Sequence, residues 1–410
     1  MSENLKPKGQ PSPGAAAGED QPSVNRFSGL ARELVSGNGL IPVLAVLASF
    51  LVGGILIAFS NANVQSASAY FFARPGDTFQ AIGQAVFGAY DALFRGSIYN
   101  YQAGNFSDGI LSLTQTLAYA TPITIAGLGL AVAFRSGLFN IGGTGQIIVG
   151  AVGSTIIALY VPIWPGPLHF VVAVLAGILG GAIFGGFVGF LKASTGANEV
   201  IVTIMFNYVA AFGLHYSLTT WLKAPLAVNP QSSPVPSDVL YPLLAGNAYP
   251  LHAGFIVMLL AVAAVWWLMN RSSVGFHFKA LGHNPSASRV AGININRTYF
   301  LVMAVSGALA GLAGTSQILG TEKYLGTGVA ATYGFDAITV ALLGRSNPIG
   351  VLAAGILFGG LRAGAVTMQA NQNVPIDIVY VVQSMIVLFI AAPPLVRSIF
   401  FMPKQKEPRA

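Results

Sequence analysis

RSSVGFHFKALGHNPSASRVAGININR, residues Arg271–Arg297, is a polar island between two strongly apolar runs, Leu251–Met269 and Tyr299–Leu319. It carries four cations, Arg271, Lys279, Arg289 and Arg297, and no acid. Asn284 is a favoured N-cap, and Pro285 suits the first helical position, where its missing N–H would be unpaired anyway. Gly292 stops the helix about two turns later. A capped helix that short, pinned between apolar runs, cannot be a domain but suits docking on a partner. Cations without acids beside apolar runs mark a cytosolic loop of a membrane protein.

Composition agrees. Of 410 residues, 54% are hydrophobic and 8% charged, with mean hydropathy +0.68. Soluble domains carry about 25% charged residues, so a water-soluble globule is excluded. With no cysteine there is no disulfide framework, thiolate metal site or thiol nucleophile. Forty-nine glycines and 23 prolines suit membrane helices, where glycine permits close backbone approach and proline kinks are tolerated.

Residues 1–38, rich in Pro, Gly, Ser and Ala, read as a disordered cytosolic tail, and 401–410 as a cytosolic tail. No apolar core follows Met1 closely enough for a signal peptide. Between the tails, 39–400 form the transmembrane domain. Spans are expected near 40–60, 109–134, 144–161, 167–191, 199–222, 251–269, 298–320, 329–344, 349–369 and 374–400, the eighth short enough for a half-helix. Residues 70–100 are amphipathic and aromatic-rich, suiting a helix at the outer interface. The expected class is therefore all-α, a polytopic membrane protein of about ten transmembrane helices in the bilayer.

Ten spans put both termini on one side. On this topology four of the 20 Lys and Arg (Arg74, Arg95, Lys223, Lys323) fall opposite the termini, Arg362 lies within a span, and the rest share the side of the termini. That asymmetry makes both termini cytosolic and 271–297 a cytosolic loop. It also accounts for the net charge of +7 without nucleic acid. The proline-rich 220–250 segment becomes an extracytoplasmic loop.

Gly177, Gly181, Gly185 and Gly189 recur every fourth residue, and Gly307–Gly311 and Gly355–Gly359 repeat the pattern, reading as helix-packing faces. A weak internal echo joins GLFNIGGTGQIIVGAVG and LLGRSNPIGVLAAGILFG, about 205 residues apart; each sets a breaker-rich turn before a Gly-rich span.

These residues carry a resemblance. Gly282, Asn284, Pro285, Ala287, Arg289, Ala291, Gly292 and Ile293 match the cytosolic loop of permease subunits of bacterial ABC importers, in the branch of the ribose, branched-chain amino acid and nucleoside systems. SGLFNIGGTGQ at Ser136–Gln146 is similar to that branch's phenylalanine–asparagine–isoleucine–glycine turn. ANEVIVTIMFNYVA at Ala197–Ala210 is most similar to the nucleoside permeases, and GFDAITVALLGRSNPIG at Gly334–Gly350 also fits. The usual Glu is replaced by Thr144 and by His283; both changes remove an acid and keep the backbone pattern. Together these stretches cover roughly residues 110–395.

The resemblance implies a nucleoside permease in the cell membrane of a bacterium, working by alternating access. Its partners would be an ABC ATPase, a second permease (a related chain or a second copy) and an extracytoplasmic substrate-binding lipoprotein. The chain has no GxxxxGK[ST] loop, so ATP and Mg belong on the partner ATPase and no cofactor is expected on this chain. Coupling to the ATPase is expected at Gly282, Asn284, Pro285, Arg289 and Gly292. Asn140, Gly142 and Gln146 mark a turn that shapes the inner gate or simply reverses the chain.

Polar residues within spans are costly against lipid, so Gln115, Asn207, Tyr208, Gln317 and Gln383 are the candidate pathway residues. Each has helix-to-helix hydrogen bonding as its plainer role. Neutral amides and hydroxyls suit an uncharged, hydroxyl-rich solute; a ribose or simple-sugar permease is the alternative. A stand-alone secondary transporter or channel would need midspan coupling charges, which are scarce. Arg362 is expected to pair with Asp336 or Asp377. Enzyme constellations are missing: the five histidines are scattered, and there is neither HExxH nor Gly-x-Ser-x-Gly.

Overall fold

The computed structural model describes residues 40–161 and 166–400; the expected tails, 1–38 and 401–410, lie outside them. In chain order the helices are α1 Leu40–Ser60, α2 Ala62–Ser68, α3 Pro75–Ser97, α4 Phe106–Arg135, α5 Gly143–Tyr160, α6 Gly166–Thr195, α7 Glu199–Thr219, α8 Gly254–Arg271, α9 Ser273–His283, α10 Pro285–Val290, α11 Ile295–Ser316, α12 Tyr333–Leu343, α13 Pro348–Gln372, α14 Asp377–Ala391 and α15 Pro393–Ile399. Eight are long and apolar enough to cross a membrane, and α12 and α14 are shorter apolar helices. The chain is an all-α polytopic membrane protein.

Helix-bounding residues explain the boundaries. Asn198 caps α7 by accepting from the Val200 N–H at 2.9 Å, and Asn294 caps α11 by accepting from Arg297 at 3.0 Å. The expected span 374–400 is instead two helices, α14 and α15. They part at Ala392, because Pro393 and Pro394 cannot continue the ladder but fit the first turn of a new helix. The eighth span is the expected half-helix, 11 residues long.

Two packing layers organise the bundle. In the larger, α4 is central, packing on α11, α12 and α13, while α6 lies along α11 over its whole length. That pair meets at the glycine face: a Cβ on Gly307 would lie 3.1 Å from the Gly185 Cα, and one on Gly311 3.1 Å from the Gly181 Cα. Glycine brings the backbones together and gains dispersion contact where lipid offers no hydrophobic driving force. Gly359 of α13 meets α4 in the same way, its Cβ position 2.6 Å from the Thr116 carbonyl oxygen.

The second layer joins α1, α3, α13 and α14. The amphipathic 70–100 segment is α3 at its centre, and it does more than lie at an interface. Ala85, Ala89 and Ala92 are buried in this layer, against residues such as Leu361 and Ala365 of α13. The 220–250 segment is irregular apart from a single 3-10 turn, Ser237–Val239.

Candidate functional site: the buried turn and the polar island

Helix α4 ends at Arg135 through a reciprocal backbone lock. The Leu138 N–H donates to the Ala133 carbonyl at 3.0 Å, the Gly137 N–H to Phe134 at 3.1 Å, and Gly137 takes φ +72°. The chain then dips back into the bundle. Asn140 is fully buried, and its Nδ2 donates to Gln146 Oε1 at 3.0 Å and to Ser306 Oγ of α11 at 2.8 Å. Its Oδ1 accepts from the Gly142 N–H at 2.8 Å. Ser306 lies eleven residues beyond Ile295, about 17 Å along the axis of α11, a helix long and apolar enough to cross a membrane, so the turn sits beside the middle of a candidate span. Irregular backbone at that depth must be satisfied by protein.

Helix α7 supplies the rest. Asn207 Oδ1 accepts from the Gly145 N–H at 2.8 Å, while its Nδ2 donates to the Ile141 carbonyl at 3.0 Å. Thr203 Oγ1 accepts from the Ile141 N–H at 3.3 Å. Glu199 Oε1 reaches the Phe139 N–H at 3.5 Å, and its Oε2 pairs with Lys192 at 2.6 Å. Asn140 and Gln146, expected at the gate turn, and Asn207, expected in the pathway, are thus one network. Thr203, Glu199, Lys192 and Ser306 belong to it too. Glu199 and Thr203 lie in the quoted Ala197–Ala210 stretch, but their partners in the turn stand 60 and 62 residues away. Ser306 is 166 residues from Asn140, while Lys192 pairs seven residues on, with Glu199.

The echo holds at the second turn in one respect. Asn347 Oδ1 accepts from the Ile349 N–H at 3.1 Å, the same two-residue asparagine turn as Asn140 to Gly142. Arg345 and Ser346 take left-handed φ of 52° and 53°, but Arg345 and Asn347 are exposed where Asn140 is buried.

The polar island contains two helices where one was expected. Ser272 Oγ accepts from the Gly275 N–H at 2.9 Å and starts α9, whose Phe278 and Leu281 are buried. Asn284 Oδ1 then accepts from Ala287 N–H at 3.0 Å to cap α10. Ile293 N–H donates to Ser288 and Gly292 N–H to Arg289, both at 3.0 Å, with Gly292 at φ +81°. This is the lock that ends α4, used again. Pro285, Arg289 and Val290 are exposed, Val290 at 91%.

Island and turn touch. A Cβ on Gly282 would lie 2.9 Å from the Ser136 carbonyl carbon and 3.1 Å from the Gly137 nitrogen. Close by, Arg135 Nη1 is buried with no hydrogen-bond partner among the described residues. The island is joined to the turn a second time through α11, which leaves the island at Ile295 and carries Ser306 to Asn140.

The other polar span residues scatter. Gln115 is exposed on α4 and lines a cleft of about 340 Å³ with Asn247, Tyr249 and Lys323. Tyr208 is 59% exposed on α7, its ring beside Phe212. Gln383 is buried in α14. Gln317 is buried where α11 loosens into a π turn, Gln317–Glu322; its Nε2 donates to Glu322 Oε1 at 3.0 Å and its Oε1 has no partner among the described residues. Arg362 pairs with Asp336 at 3.7 Å rather than with Asp377. It also donates to Thr332 Oγ1 at 3.0 Å and lies 4.3 Å over the Tyr333 ring.

Outside the spans the 220–250 segment is tied to the π turn. Val235 N–H donates to Lys323 at 2.8 Å and Tyr241 N–H to Leu319 at 2.9 Å. His252 sits at this seam; burial, then the Lys323 charge, pushes its pKa down to about 4. Its Nδ1 accepts from the Gly254 N–H at 3.1 Å, which leaves the proton on Nε2 facing Thr321 at 3.4 Å. Burial pushes the Tyr241 hydroxyl up to about 12. Among the described residues no group of three or more His, Cys, Asp or Glu could hold a metal ion.

The comparisons with known proteins agree with this architecture. The profile of the family described as branched-chain amino acid transport system / permease component matches residues 112–391, well over half of the chain. The guanosine ABC transporter permease protein NupP of Bacillus subtilis is 32% identical over 371 residues, covering 90% of this chain and 97% of that protein. The nucleoside ABC transporter permease protein NupB of Lactococcus lactis is 31% identical over 380 residues, 90% of this chain and 95% of its own length. The glucose ABC transporter permease protein TsgB13 of Haloferax volcanii is 31% identical over 369 residues, covering 88% and 87%. No enzyme family is among these matches, and the chain is a multi-pass protein of the cell membrane. A profile over residues 112–391 and relatives matched nearly end to end make this chain a member of the branched-chain amino acid transport system / permease component family.

Proposed function

We propose that the chain is the membrane permease subunit of an ATP-driven importer of nucleosides. One observation supports the coupling: the exposed, double-locked helix α10 is flanked by α9, whose Gly282 touches the buried turn, and by α11, whose Ser306 bonds to it. Hydrolysis is the task of a separate ATPase holding ATP and Mg, which docks on Asn284–Gly292. Its closure shifts the island, and the buried turn and α7 follow, exchanging inward-open and outward-open arrangements of a bistable bundle. A binding lipoprotein delivers the solute on the opposite face, and both termini lie in the cytosol with the island.

A second permease, a related chain, completes the pathway. Tyr208 supports a protein or aqueous neighbour for α7: its residue stands near midspan and 59% exposed, where a phenol against lipid alone is costly. Nucleosides as cargo rest on the relatives named for guanosine and nucleosides, and glucose, in the name of the third, supports a simple sugar as the second reading.

Uptake of radiolabelled uridine, adenosine, ribose and glucose in cells with and without the gene is the test. Loss of nucleoside uptake alone bears the reading out. Loss of ribose or glucose uptake alone replaces the cargo and keeps the coupling.

A further inference from the structure

Three long helices lead from the polar island to a single cleft. Helix α8 runs from Gly254 to Arg271 in the island, α11 leaves the island at Ile295 and ends in the π turn, and α4 runs from Phe106 to the lock beside Gly282. Around their ends away from the island lies the cleft of about 340 Å³, lined by Gln115, Asn247, Tyr249, Thr321 and Lys323. The 22 residues of α11 put about 33 Å between cleft and island, so the two belong to opposite faces.

The walls of the cleft are fixed. Leu244 N–H donates to the Leu251 carbonyl at 2.9 Å and Tyr249 N–H to Gly246 at 3.2 Å, with Gly246 at φ +87°, so 244–251 is a tight loop. The Tyr249 hydroxyl donates to the Ser107 carbonyl at 3.2 Å, which ties the loop to the first turn of α4 and holds the ring in place. Another wall is the π turn, a geometry common at functional sites. Its Gly320 leaves room for the His252 ring, and Thr321 Oγ1 faces that ring at 3.4 Å.

The polar groups on these walls are free to bind. Gln115 and Asn247 are exposed, and neither carboxamide makes a hydrogen bond among the described residues. Lys323 supplies the ammonium of the lining and forms no ion pair among the described residues. The volume lies in the range of small-molecule sites. Two neutral amides, a tethered phenol ring and one ammonium fit a flat, hydroxyl-bearing solute without charge. A phosphate ester would meet a single ammonium with the exposed Glu322 carboxylate next to it in the chain.

Donor chemistry narrows the choice. A carboxamide both donates and accepts, so it serves the ribose hydroxyls of any nucleoside, whereas an ammonium only donates. It pairs with the O6 and N7 acceptors of a 6-oxopurine but meets another donor at the 6-amino group of adenine. We propose that this cleft receives the solute and that Lys323 gives it a preference for nucleosides whose base carries a carbonyl over adenosine, with the base stacked on Tyr249. The inference rests on the nucleoside reading above and adds the site and the preference.

Competition against uptake of radiolabelled guanosine, in cells carrying the whole transporter, tests it. In the wild type unlabelled inosine should compete about tenfold better than adenosine, within the worth of one well-placed base contact. Lys323→Met should bring the two to within about twofold, and Lys323→Arg, also a pure donor, should keep the preference. Methionine takes the same left-handed φ of 61° that lysine does, so the backbone demand is unchanged. Gln115→Leu should raise the KM for guanosine about fivefold and leave the inosine-to-adenosine ratio alone. Immunoblots of membranes check that each variant is inserted, and Lys323→Gln serves if Lys323→Met is not. A wild-type ratio near one, or an unchanged ratio in the inserted Lys323 variant, overturns the proposal and leaves the nucleoside reading standing. Uptake of ribose or glucose with no uptake of any nucleoside overturns that reading, and the preference with it.

Discussion

Gly282 and Gly137 meet backbone to backbone: a Cβ on Gly137 would stand 3.1 Å from the Gly282 Cα. One residue belongs to the polar island and the other to the lock that ends α4, so the two motifs singled out in the sequence are in physical contact. Gly137 also needs its left-handed φ of +72°, a conformation that costs an L-residue about 1–2 kcal/mol. Gly282 has no such backbone demand. Gly282→Ala therefore isolates the contact: its Cβ would run into the Arg135 carbonyl oxygen and the Ser136 backbone, so island and turn must move apart by more than a side chain could absorb. Transport should fall by about tenfold or more while the ATPase still co-purifies. Uptake and ATPase activity measured on the same reconstituted complex check this; transport at the wild-type level would remove the contact from the coupling route.

Gly292 separates backbone from packing in the opposite way. Nothing lies within 4 Å of its Cβ position, but its φ is +81°. Gly292→Ala should loosen α10 by about 1–2 kcal/mol through the backbone alone. Gly292→Asn, which tolerates the left-handed region better, should recover part of the loss. ATPase affinity of the two variants, measured by titration in detergent, should rank Gly above Asn above Ala; equal affinities would mean that the lock is dispensable for docking.

Asn207 joins α7 to the buried turn at both ends of its carboxamide. Asn207→Leu removes an acceptor for Gly145 N–H and a donor for the Ile141 carbonyl, leaving two backbone groups unpaired at membrane depth. Each costs about 1–3 kcal/mol, so the melting temperature should drop clearly and transport should be lost. Asn207→Asp keeps the acceptor and should fall between. If Asn207→Leu melts like the wild type, water or another group satisfies the turn.

Much of this fold is legible in the sequence, and the limits are physical. Apolar runs of bilayer length mark the spans, and Asn284, Pro285 and Gly292 mark α10 because caps and left-handed glycines are local rules. Helix α9 is missed because Val274, Phe276 and Phe278 alternate like a strand, whereas the Ser272 cap and packing on α4, α8 and α11 make it helical. The role of Asn207 is hidden for another reason: Gly145 lies 62 residues away, and no local pattern names that partner. Pairing of Arg362 is half legible. Its sequence position demands an acid, but only the fold selects Asp336 over Asp377.

That pair carries the next expectation. Arg362 and Asp336 are 17% and 12% exposed, 3.7 Å apart, with Thr332 bonded to both. Removing one partner strands the other, so Arg362→Ala should cost about 3–5 kcal/mol. Exchange of the two, Arg362→Asp with Asp336→Arg, should recover part of that but not the stacking on Tyr333. Transport assays of both singles and the double form the cycle; no recovery in the double would show that the charges act separately.

His252 gives the seam between the 220–250 segment and the π turn a pH dependence whose sign follows from its burial. Its pKa of about 4 lies below the ordinary 6.5, so the unfolded chain takes a proton that the folded one refuses between those values. Stability contributed by the neutral ring is full above pH 6.5, declines as pH falls through this window, and is lost below about 4. The full drop is on the order of 3 kcal/mol. Groups facing the ring include Lys323, which adds to the effect, and Tyr241, whose ring lies 5.6 Å away and stays neutral throughout. His252→Asn keeps an acceptor for the Gly254 N–H but cannot titrate. It should be less stable at neutral pH yet melt at nearly the same temperature at pH 7.5 and pH 5, where the wild type should lose ground. Because the ring sits between the 220–250 segment and the π turn, the wild-type loss should appear first there, as earlier proteolysis near the exposed Leu226 and Val228. An unchanged acid dependence in the variant would move the titrating group elsewhere.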